Sequence, residues 1–193
     1  MKKDNYIIKS LNGMAYGFFC SLIIGTIFKQ IGNFANISQL VAWGEVATYL
    51  MGPAIGAGIA YAIDAKGLNL IAAVIAGTIG AGTFNGNTAT TGNPIAAFVA
   101  VIIAVEVTRL VQGKTPVDIL LVPFTSIIVA GIVTIFIGPY ITKLIVWIGD
   151  LINQGVNMQP FFMSIVVAVL MGMALTAPIS SAAIGVMLGL NGL

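Results

Sequence analysis

The chain has 193 residues, of which 59% are hydrophobic and 7% charged, with a net charge of +2 and a mean hydropathy of +1.05. Soluble domains carry roughly 25% charged residues, so this composition excludes a water-soluble globule and predicts an all-α, polytopic integral membrane protein. Eight basic residues against six acidic ones are too few and too scattered for a nucleic-acid surface. With no histidine and a single cysteine, Cys20, neither a metal site nor an internal disulfide is expected, and no cofactor is implied.

In chain order, a basic start with Lys2, Lys3 and Lys9 precedes a first apolar span over residues 11–28, read as a retained signal-anchor helix without a small-x-small cleavage site. Residues 29–45 read as a connector with Asn33, Asn36, Ser38 and Gln39, partly lying flat in the interface, and Trp43 suits headgroup level. A second span over 46–63 carries Gly52-Pro53 as a kink, and Asp64, Lys66 and Gly67 make a turn. The third, 68–84, is rich in small residues, and the fourth, 94–111, has a proline at its start, where the missing N–H is harmless.

The fifth span, 118–138, is the clearest. Between Ile119 and Ile137 it holds 13 Leu, Ile, Val or Phe residues. At roughly −0.3 to −0.6 kcal/mol each on an insertion scale, these outweigh one central charge at about +3. Residues 140–156 space Ile141, Leu144, Ile145, Ile148, Leu151 and Ile152 three and four apart, which predicts an amphipathic interfacial helix with Trp147. A sixth span is expected over 161–177, followed by a small and polar segment in which the architecture looks incomplete. With the N-terminus inside, Lys2, Lys3, Lys9, Lys66, Arg109 and Lys114 fall on the inner side and Lys29 and Lys143 on the outer. A re-entrant 68–84 would invert everything after it.

The candidate site lies between the third and fourth spans, in GTIGAGTFNGNTATTGNP, residues 77–94. Thr83, Asn85, Asn87, Thr88, Thr90, Thr91 and Asn93 offer hydrogen-bond donors and acceptors without charge, a chemistry suited to a neutral polyhydroxylated solute. The same composition also fits an exposed turn. Backbone that leaves the helix at membrane depth must be satisfied by protein or by a hydrated cavity. Glu106, paired with Arg109 at (i, i+3), reads either as a group facing the solute path or as an end-of-helix ion pair. Thr78-Ile79-Gly80-Ala81-Gly82 echoes the spacing of a potassium-channel filter and supports a channel alternative. Gly13-xxx-Gly17, Gly52-xxx-Gly56 and Gly185-xxx-Gly189 predict close helix packing, either within one chain or in a dimer.

The order of these features, with GTFNGNTATTGNP, KTPVDILLVPF and MGMALTAPISSAAIGVMLGLNG, resembles the membrane IIC component of bacterial sugar phosphotransferase systems. The resemblance is to the branch with perfringolysin O regulator-type proteins, over the N-terminal part of the family's length. It implies a homodimer in the inner membrane that passes a neutral sugar inward while a cytoplasmic IIB-type partner phosphorylates it. The glutamate and histidine of well-studied members lie in a later half, and this chain has no histidine, so no catalytic residue is carried over. A ligand sensor or regulator without transport is the alternative the resemblance leaves open.

Overall fold

A computed structural model describes residues 3–82, 84–85, 88–89, 92–114, 116–144, 147 and 165. The described residues are helical throughout, apart from loops and one two-residue strand pair. Helix α1 (Lys3–Phe18) runs through a π-helical stretch (Phe19–Ile23) into α2 (Ile24–Ala35); α3 (Ser38–Tyr49) and α4 (Met51–Ala62) follow. Next come α5 (Leu68–Ala81), strands β1 (Phe84–Asn85) and β2 (Thr88–Ala89), α6 (Pro94–Val111) and α7 (Asp118–Phe136). Among the described residues three helices are long and apolar enough to cross a membrane: the continuous Tyr6–Ala35, Pro94–Val111 and Asp118–Phe136, with Leu68–Ala81 a shorter apolar helix.

The bundle is built on α4 and α5. Helix α4 packs along α1 on one side and α5 on the other, and α5 in turn packs on α6 and α7. Small residues let these backbones approach closely. A Cβ on Gly13 would stand 2.4 Å from the Gly58 carbonyl oxygen, and one on Gly77 would stand 2.3 Å from that of Gly52. The Gly13-xxx-Gly17 and Gly52-xxx-Gly56 faces are therefore used inside one chain; Gly185-xxx-Gly189 lies outside the described residues.

Polar groups inside the bundle join helices. Thr108 donates to Asn69 Oδ1 at 2.6 Å, and Asn69 Nδ2 donates to the Val105 carbonyl at 3.4 Å, both side chains being buried between α5 and α6. Ser126 of α7 donates to the Ala72 carbonyl of α5 at 3.1 Å. With no water in the hydrocarbon to compete, such bonds fix helix register. The outward face of α7 is apolar and exposed (Leu120, Phe124, Ile128, Ile132 and Ile135), as a lipid-facing surface requires.

Residues 29–45, expected as a connector, are helical but for one turn and belong to a paired hairpin. The first helix continues to Ala35, turns at Asn36 in the left-handed region (φ 54°) and returns as α3, so that α2 and α3 form an antiparallel hairpin. Asn36 is one of the few residue types that adopt this conformation readily. Gly25 and Gly44 are what let the two helices touch. The kink expected at Gly52-Pro53 appears as a break at Leu50 (φ −79°, ψ 10°) between α3 and α4. Pro53 has no N–H for the Tyr49 carbonyl, so the ladder is interrupted one turn before the proline.

Candidate functional site

The uncharged loop is pinned at both of its ends. Helix α5 stops at Gly82, whose left-handed backbone (φ 66°) and N–H to the Ile79 carbonyl (3.0 Å) form the C-cap. Strand β1 pairs antiparallel with β2, Asn85 opposite Thr88 and Phe84 opposite Ala89, folding the loop back on itself. The return is closed by Asn93, whose backbone N–H donates to the Ala81 carbonyl at 2.8 Å, one residue before the cap of α5. Gly92 (φ 76°) lies so close to Ala81 that a Cβ there would meet its carbonyl oxygen at 2.7 Å.

Asn93 also starts α6. Its Oδ1 accepts from the N–H groups of Ile95 (3.0 Å) and Ala96 (3.1 Å), with Pro94 in the first helical position. This is an N-cap, and it satisfies two donors that a helix start in an apolar setting would otherwise leave bare. Its Nδ2 donates to Thr142 Oγ1 at 3.4 Å, so that the helical residues 138–144 that follow α7 lie against the base of the loop. The Asn-Pro pair before an apolar run carries this role in the sequence itself. Of the other candidates, the backbones of Asn85 and Thr88 lie in the strand pair, while Thr83, Asn87, Thr90 and Thr91 fall outside the described residues. Of the interfacial helix expected over 140–156, residues 140–144 and 147 are described and helical; the span expected over 161–177 lies outside the described residues but for residue 165.

Glu106 stands at the other end of α6, 13 residues from Asn93 and so about 20 Å along the axis. Its Oε1 accepts from the Tyr6 hydroxyl at 2.6 Å and from Arg109 Nη1 at 2.8 Å. Arg109 Nη2 reaches across to the Ile63 carbonyl, the C-cap of α4. Beside this cluster Lys9 pairs with Asp64 at 3.4 Å. The group ties the start of α1, the end of α4 and the end of α6 together. Local spacing shows the Glu106–Arg109 pair, whereas Tyr6 is 100 residues away in sequence and carries no local signal.

The charged clasp is open to solvent on one side, with Arg109 and Glu106 side chains 32% and 48% exposed. Its worth to folding is accordingly modest. Arg109→Ala removes two charge-assisted contacts and is expected to cost roughly 1–2 kcal/mol. Arg109→Lys, which keeps the charge without the planar fork, is expected to recover only part of this. Thermal unfolding in detergent micelles measures both.

Among the described residues no three His, Cys, Asp or Glu side chains gather at one point. The arrangement offers an uncharged, backbone-anchored loop at one end of the bundle and a charged clasp at the other. It defines a helical, multi-pass membrane protein with a neutral polar loop between two apolar helices. Compared with known families, the sequence model described as Phosphotransferase system, EIIC matches residues 8–193. The chain belongs to the phosphotransferase system EIIC family. Comparison with curated proteins and with solved structures gives no match.

Proposed function

We propose that the protein is the permease domain of a phosphoenolpyruvate-dependent sugar phosphotransferase system, moving a neutral sugar across the membrane by alternating access. The observation that carries this reading is the loop over residues 83–93. Within an EIIC-family chain, it is the segment where uncharged hydrogen-bonding side chains cluster between apolar helices, and its base is fastened to α5, α6 and residues 138–144. Sugar hydroxyls need donors and acceptors together, and Thr83, Asn85, Asn87, Thr88, Thr90 and Asn93 supply both. Glu106 serves the same path from its other end. Phosphoryl transfer belongs to a cytoplasmic IIB-type partner, and the membrane unit is a homodimer.

The topology that goes with this reading has six spans, at about 11–28, 46–63, 68–84, 94–111, 118–138 and 161–177, in the bacterial inner membrane with the N-terminus cytoplasmic. The six-to-two excess of basic residues on the inner side supports it. In a Cys20→Ser background, single cysteines at positions 88 and 114 are expected to react with an impermeant maleimide from opposite sides of the membrane. Labelling of both from one side would refute the layout. Uptake of labelled sugar into vesicles that depends on phosphoenolpyruvate and the soluble phosphotransferase proteins tests the transport reading. Binding without flux would replace it with a sensor, and ion current in a planar bilayer with a channel.

A further inference from the structure

The hairpin of α2 and α3 leaves the bundle. The helix Tyr6–Ala35 has 30 residues, about 45 Å of length, half as much again as a hydrocarbon core of about 30 Å. Its first part is fully used against α4, from the Gly13–Gly58 contact to the Gly17–Ala54 contact. Past the π-helical stretch, α2 packs extensively only on α3 among the described helices, and α3 in turn touches α4 only slightly. Two backbone irregularities flank the point of departure: the π-helical Phe19–Ile23 in one strand of the hairpin and the break at Leu50 in the other. The π stretch contacts both α3 and α4, so these two irregularities lie side by side.

This arm ends in a groove of about 390 Å³ lined by Gly32, Asn33, Asn36, Ser38, Val41, Ala42 and Glu45. Glu45 is half-buried, and no basic side chain is among the lining residues; the nearest in the hairpin, Lys29, packs its stem against Gly44 one turn before Asn33 and makes no ion pair with Glu45. Among the described residues, none of the Asn33, Asn36, Ser38 and Glu45 side chains makes a hydrogen bond or ion pair with another. Apolar side chains surround it: Phe34 is 88% exposed and Trp43 62%, each next in sequence to a lining residue, with Ile27 and Ile31 on the turns before Phe34. They continue the apolar outer surface of the bundle beyond the length that crossing the membrane requires.

We propose that the tip of the arm of α2 and α3 reaches headgroup level at the end of the bundle remote from the Lys9–Asp64 pair, and that its groove takes the amine headgroup of a phospholipid. Ile27, Ile31, Phe34 and Trp43 enter the boundary between acyl chains and headgroups, where an indole and apolar side chains are at home. A primary ammonium brings three N–H donors and one positive charge. The groove answers with the Glu45 carboxylate, the carboxamide oxygens of Asn33 and Asn36 and the Ser38 hydroxyl. A quaternary ammonium has no N–H to donate, and an anionic glycerol headgroup meets a carboxylate of its own sign.

Two measurements on the full chain test this. Native mass spectrometry of detergent-solubilised protein mixed with phosphatidylethanolamine, phosphatidylcholine and phosphatidylglycerol is expected to show preferential retention of the ethanolamine lipid. One charge-assisted contact predicts a preference of about tenfold, which Glu45→Gln removes while leaving the protein folded. In a Trp147→Phe background reconstituted into vesicles, Trp43 fluorescence is expected to be quenched by lipids labelled on the shallow part of the acyl chain. Equal retention of the three lipids, or a preference that Glu45→Gln leaves intact, overturns the headgroup site. Trp43 quenched by aqueous iodide and not by labelled lipid overturns the seating of the arm, as does soluble glycerophosphoethanolamine competing as well as the lipid.

Discussion

Gly56→Ala is expected to be among the most damaging single-methyl changes in the described part of the chain, with Gly17→Ala and Gly58→Ala beside it. The added Cβ would lie 2.2 Å from the carbonyl oxygen of Ala73 and 3.0 Å from the Cα of Val74. Those are backbone atoms of α5, which cannot turn aside as a flexible side chain would. Helix α4 has no room to retreat. Ala54 and Gly58, two residues before and after Gly56 in sequence and so on the opposite side of the helix, already meet Gly17 and Gly13 of α1 at backbone distance. Moving α4 away from α5 drives it into α1. Overpacking typically costs 1–3 kcal/mol, and a clash with backbone on a helix wedged from both sides belongs at about 3 kcal/mol or more.

Gly131→Ala is the matching control. Nothing lies within 4 Å of a Cβ at that position in α7, so the helix propensity of alanine, about 1 kcal/mol better than glycine, is expected to appear as stabilisation. Thermal unfolding of the two variants in one detergent should move in opposite directions. If Gly56→Ala melted with the wild type, the contact between α4 and α5 would have to be looser than described.

The difference between these two glycines shows what the sequence alone conveys. Composition and hydropathy are enough for a helical membrane protein, and the small-xxx-small spacings are enough for close packing. They do not say which glycine faces which helix, because Gly56 and Gly131 sit in equally apolar surroundings and differ only in tertiary neighbours. The hairpin formed by 29–45 is hidden in the sequence for a related reason. Its mixture of Asn, Ser and Gln with apolar residues is what an interfacial connector needs, and it is also what two short helices need when they pack on each other through Gly25, Gly32, Gly44 and Val41. Only the pairing decides. At the clasp, spacing gives Glu106 and Arg109, whereas Tyr6 and the Ile63 carbonyl enter through the fold. The position of Asn93 at a helix start could be read locally, since a capping residue, a proline and an apolar run follow in the order that a helix N-terminus prefers.

That second role of Asn93 changes how the sugar site is to be tested. Replacing it by alanine removes the acceptor for the Ile95 and Ala96 N–H groups together with the donor to Thr142. Loss of an N-cap typically costs 0.5–2 kcal/mol, so lower uptake by Asn93→Ala would not separate misfolding from lost recognition. Asn93→Ser does separate them. Serine caps about as well as asparagine, but its hydroxyl is short and offers no amide donor. If the loop binds sugar, Asn93→Ser, which keeps the cap and gives up only the long, exposed bond to Thr142, is expected to unfold within about 1 kcal/mol of the wild type while binding sugar more weakly, by about the tenfold that one lost hydrogen bond brings. Asn85→Ala and Asn87→Ala leave the capping residue itself in place, and combining them with Asn93→Ser is expected to reduce phosphoenolpyruvate-dependent uptake by two orders of magnitude or more. Calorimetric binding alongside uptake decides the matter. A triple variant that binds and transports as the wild type does would leave the loop as a fastening between α5 and α6, and the solute path would have to run elsewhere.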